Sequence, residues 1–122
     1  MIARVFLLSV CLSAIVACSG EASLTDETEI RSIASAFAIK KGMTLLCEGD
    51  DVDYLTPFME DLRQAGVPPQ LRDEIMADSV EMMNKISTEE PEYICTPEMF
   101  QSSVARAEEA QQAWDRMRGI EE

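Results

Sequence analysis

Four cysteines, at positions 11, 18, 47 and 95, are the residues of this 122-residue chain best equipped for covalent chemistry. A thiolate can attack a carbonyl, hold a metal, carry a lipid or oxidise with a second thiol, and its surroundings decide which. Histidine is absent. The chain therefore lacks the commonest general base, the usual partner of a nucleophilic Ser or Cys, and the commonest metal ligand. No two cysteines form a C-x-x-C redox or metal pattern, and there is no glycine-rich phosphate loop. Ser102 and Ser103 have no base near them in sequence. These absences argue against an enzyme and against a cofactor.

Two other clusters offer chemistry. Glu48, Asp50, Asp51 and Asp53 could bind calcium. An EF-hand loop needs alternating oxygens, a glycine at its sixth position and a glutamate at its twelfth. Counted from Asp51 those positions hold Thr56 and Leu62, so the pattern fails, no metal is expected, and the acids read as helix caps in a solvated loop. Met76, Met82 and Met83 could form an adaptable binding face or a soft-metal site, although core filling is the plainer role for methionine. Along one helix, Met76, Val80 and Met83 widen the apolar face and are the candidate surface for a protein partner.

Charge and composition narrow the function further. Against 10 basic residues stand 23 acidic ones, a net charge of −13, which disfavours binding to nucleic acid or to anionic headgroups by charge. Hydrophobic residues make up 47% of the chain, enough for a packed globule rather than disorder, and the length suits one domain.

The N-terminal stretch reads as a targeting signal. One positive charge, Arg4, precedes an apolar run from Val5 to Val16, which falls short of the ~20 residues needed to span a bilayer. It ends in Ile15-Val16-Ala17-Cys18, which resembles the lipobox of bacterial lipoproteins. The resemblance implies a signal peptide over 1–17, diacylglycerol on the Cys18 sulfur, cleavage just before Cys18 and acylation of its new amino group. Residues 18–24 would be a lipidated tether, and the chain would hold the membrane through its acyl chains, each buried CH₂ contributing about 0.8 kcal/mol. Ser19, rather than Asp, follows the cysteine. By analogy with enterobacterial sorting this points to the outer membrane, on the periplasmic side of the cell envelope. Only Arg4 would be lost in processing, leaving side chains at 9 − 23 = −14.

Cys11 would be discarded with the signal and Cys18 would take the lipid, leaving Cys47 and Cys95 as one pair in an oxidising compartment. A single structural disulfide is expected. It would close a loop of about 49 residues, for which the chain-entropy account gives roughly 4 kcal/mol.

The elements that must position these groups are helices. Thr25 can cap a first helix with Asp26, Glu27 and Glu29 in its first turn, and Ile30, Ile33, Ala34, Phe37 and Ala38 on one face. Gly42 suits the residue after a last turn, but the apolar run Met43–Cys47 favours continuation to about Leu46. Thr56-Pro57 reads as the cap and first position of a second helix ending at Gly66, with Val52, Leu55, Met59 and Leu62 as its stripe. A third runs from about Pro69 to Ser87, with Leu71, Ile75, Met82 and Ile86 on one face, and Thr88–Glu92 ends it. Thr96 and Pro97 open a fourth that carries Phe100, Val104, Ala107 and Trp114. The expected fold of residues 25–122 is all-α, a small four-helix domain closed by one disulfide.

Cys47-Glu48-Gly49-Asp50, the spacing to Cys95-Thr96, and Trp114-Asp115-Arg116-Met117 are similar to the pattern of small periplasmic acid-stress chaperones of the HdeA type. That resemblance implies unfolding at low pH and binding of denatured clients. This chain departs from the pattern in its long helix before the first disulfide cysteine, its lipobox and its stronger acidic bias. The reading that leads is a lipid-anchored envelope module acting through contacts with an unidentified envelope protein.

Overall fold

The structure, a computed structural model, describes residues 26–119. The signal segment 1–17, Cys18, the tether 18–24, Thr25 and residues 120–122 lie outside the described residues. Within them the chain forms α1 (Glu27–Glu48), α2 (Leu55–Gln64), α3 (Pro69–Ser87), α4 (Pro91–Ile94) and α5 (Pro97–Met117), with no strand. The all-α expectation stands and the count becomes five. Pro91 was expected in the segment that ends α3. Instead its fixed φ and missing N–H suit a first helical position, and it opens the one-turn α4.

Local chemistry sets the boundaries. Asp26 caps α1, accepting from the Glu29 N–H at 3.2 Å. Gly49, at φ 72°, turns the chain out of α1 and donates its N–H to the Leu45 carbonyl. The helix therefore runs to Glu48, past the expected Leu46. α2 starts at Leu55 rather than at Pro57, because the Asp53 carboxylate accepts from the N–H groups of both Leu55 and Thr56 at 3.0 Å. Thr56 is thus a helical residue and not the cap. Pro69–Ser87 matches the expected third helix. Thr96 caps α5 as expected, accepting from the Met99 N–H at 3.2 Å.

Packing is organised around α1, with α3 and α5 both lying against it. Ile30, Ile33, Ala34, Phe37 and Ala38 are buried. Phe58 of α2 bridges the two ends of an aromatic stack, with ring centroids 5.3 Å from Phe37 and 5.2 Å from Trp114, both edge to face. Trp114 is 1% exposed, the core anchor that its place on α5 suggested. Val52, expected in the stripe of α2, is instead exposed in the preceding loop, and Phe58 and Leu62 carry the buried face with Leu55. Phe100 and Val104 are half-buried, while the small residues Ser103, Ala107 and Ala110 lie at the seam with α1.

Gly42 sits inside α1, and a Cβ built there would meet Ile86 Cβ and the Met83 carbonyl oxygen at 3.0 Å. Glycine in a helix interior costs about 1 kcal/mol relative to alanine. Here it lets the end of α3 approach the α1 backbone. Gly42→Leu is expected to lower stability by at least about 1–3 kcal/mol through overpacking, measured as the urea midpoint. An unchanged midpoint would mean that the two helices do not meet at Gly42.

Candidate functional site

Cys47 lies in the last turn of α1, and Cys95 follows α4 directly. Their Cα atoms are 5.5 Å apart and their sulfurs stand at disulfide distance. The acidic loop between α1 and α2 begins two residues after Cys47. Asp51 pairs with Lys41 Nζ at 2.8 Å, and Lys41 also donates to the Val52 carbonyl at 3.1 Å. Asp53 is held below the usual carboxylate range, first by the Thr56 side chain and then by the backbone N–H groups of Thr56 and Leu55. Glu48 and Asp50 are exposed. Among the described residues no group of three or more His, Cys, Asp or Glu is placed to hold a metal ion.

A second polar group surrounds the buried tryptophan. The Trp114 indole N–H donates to Asp61 Oδ2 at 3.2 Å. Arg118 reaches the same oxygen at 3.4 Å and Asp115 Oδ1 at 2.8 Å, with its guanidinium 5.4 Å from the indole ring centroid. Asp61 thus satisfies the one polar atom of a buried aromatic side chain and ties α2 to α5. Sequence reasoning found Trp114 but missed Asp61, because one carboxylate on the polar side of a short helix carries no signal of a partner 53 residues away.

The proposed partner surface divides. Val80 is exposed, Met76 and Met83 are half-buried, and none of the three belongs to the central core, against which Met82 does pack. Two clefts that sequence reasoning missed flank α1. A groove of about 440 Å³ lies between α1 and α5, floored by Ile33, Ala36 and Ala110 and rimmed by Glu29, Arg106 and Glu109. A smaller cleft of about 180 Å³ lies between α1 and α3, where Ile75 and Ser79 meet Arg31 and Asp78. The available signal was the small residues Ser32, Ser35 and Ala36 of α1 and Ala110 and Ala113 of α5, which leave room beside a helix seam. Such an arrangement can hold an apolar segment against its floor and orient it at a charged rim.

The lowered pKa of Asp53 gives a pH-dependent prediction. A depressed carboxylate contributes stability that is present above its unfolded value near 4 and is lost as pH falls through the folded value. Asp53→Ala is expected to cost about 0.5–1 kcal/mol at pH 7, the low end for a cap because the group is exposed. The gap from the parent protein should narrow below about pH 4 in urea titrations. A gap independent of pH would show that the carboxylate charge has no part in the cap.

Comparison with family models, with curated proteins and with solved structures found no match to this chain.

Proposed function

We propose that this chain is a small lipid-anchored protein of the bacterial cell envelope that acts as a protein-binding or structural module. The observation that carries the reading is the apolar run Val5–Val16 ending in Ile15-Val16-Ala17-Cys18. It is supported by the cysteine arithmetic, since removal of Cys11 and lipidation of Cys18 leave Cys47 and Cys95, which stand at disulfide distance. No helix among the described residues is long and apolar enough to cross a membrane. The half-exposed Met76, Val80 and Met83 and the grooves beside α1 are the surfaces offered to a protein partner. On this reading the anchor faces the periplasm from the outer membrane, and three acyl chains hold it there against the repulsion of an acidic surface.

The test is mass spectrometry of the mature N-terminus together with fractionation of a Cys18→Ser variant. The expected result is a triacylated Cys18 in the parent, and release or an uncleaved precursor in the variant. An unmodified cysteine, or cleavage elsewhere, would overturn the anchor.

A second reading, an HdeA-like chaperone for acid-denatured clients, is favoured by one observation. The ion pairs between helices all use carboxylates among the described residues: Arg31 with Glu74 and Asp78 between α1 and α3, and Arg118 with Asp61 between α5 and α2. The chain has no histidine, so no histidine switch between pH 5 and 8 acts on these links. Light scattering of an acid-denatured client, neutralised with and without the purified protein, separates the readings. Suppressed aggregation at near-stoichiometric protein would select the chaperone, and no suppression would remove it.

A further inference from the structure

We propose that the Cys47–Cys95 bridge is a redox-operated latch. On reduction by a dithiol, the end of α3, α4 and the start of α5 would leave α1 while the rest of the core stays folded. The argument begins with burial. From Val80 to Ser102 no residue is buried, although Ser79 and Ser103 at the two limits both are. α4 buries nothing and packs against α1. Past Met82, which still packs against the core, this stretch therefore lacks the core contacts that hold the other helices. Its attachments are the close approach of Met83 and Ile86 to Gly42 and the bridge itself.

The main core lies elsewhere along α1. Ile30, Ile33, Ala34, Phe37 and Ala38 join Phe58, Ile75 and Trp114 in one cluster. Met43 is 3% exposed yet stands outside that cluster, and its neighbours Gly42 and Thr44 are also buried. The end of α1 is thus covered by elements that the central core does not retain. Segments of low contact density open as separate units, at free energies below that of global unfolding. Removing the covalent tie should bring such an opening within reach.

The chemistry balances with one co-reactant. Both cysteines are half-buried, so a thiolate has access to a bridge sulfur. A thiolate of the dithiol attacks one sulfur, breaking the bridge and forming a mixed disulfide. The reagent's second thiol then displaces the remaining cysteine. Cys47 and Cys95 gain two electrons and two protons, and the dithiol ends as its own disulfide. The reduced protein would present Met43 on α1 and the half-buried Ile86, Ile94 and Phe100 of the released segment, an apolar surface available in one redox state.

Hydrogen exchange read by mass spectrometry on the full chain, oxidised and then reduced with dithiothreitol, tests the latch. A Cys47→Ser/Cys95→Ser variant without reductant is the second sample. The expected result is exchange accelerated about tenfold or more over residues 42–48 and 84–100. Residues 27–38 and 104–117 should change less than twofold, and the emission of Trp114 should not move. Should the double variant fail to fold, the dithiothreitol series on the oxidised chain decides alone. Uniform acceleration across all helices, no regional change, or loss of the Trp114 environment together with the released end would each overturn the proposal.

Discussion

α1 touches every other helix that the structure describes, and the rest of the molecule depends on this one burial. A surface helix needs a single apolar stripe, whereas a helix with neighbours on several sides needs apolar or small residues around much of its circumference. α1 meets that demand with two kinds of residue. Ile30, Ile33 and Phe37 fill space, while Ala34, Ala38 and Gly42 let a neighbouring backbone come close. α3 and α5 are held chiefly by α1, so their positions inherit its geometry. α2 joins the assembly through the buried Leu55, Phe58 and Leu62 and through one carboxylate, Asp61.

Polar interactions decide details within that frame. Arg31 reaches Glu27 on its own helix and Glu74 and Asp78 on α3. These groups are substantially solvent-exposed, so together they fix orientation more than they add stability. Asp61 differs in kind. Its oxygen receives the indole N–H of a side chain that is 1% exposed. Leaving that donor unmet would cost more than any exposed ion pair in the molecule contributes.

Much of this fold could be read from residue types. The third helix was legible from Pro69 to Ser87 because its limits are set by proline geometry and a polar stop, both local. Thr96-Pro97 marked α5 for the same reason. The errors have a common physical origin in side chains that act across positions. Asp53 caps α2 from outside it and displaces Thr56 from that role. Gly42 was rightly passed over as a terminator, but only the approach of Ile86 explains why a glycine stands inside the helix. The pairing of Cys47 with Cys95 followed from counting, whereas Asp61 and the grooves beside α1 arise from tertiary neighbours that no local pattern encodes.

The central place of α1 has a consequence for how the molecule is made. Among the described helices synthesis delivers α1 first and α5 last, yet α1 is complete only when α5 lies against it. Until then its apolar and small-residue faces have no cover, and Cys47 waits for a partner 48 positions away. Contacts of such long sequence separation slow folding and lengthen the life of sticky intermediates. Of the described helices, the earliest made is the last to be finished. Its exposure during that interval, more than the stability of the finished bundle, sets how much the nascent chain depends on being kept apart from its neighbours.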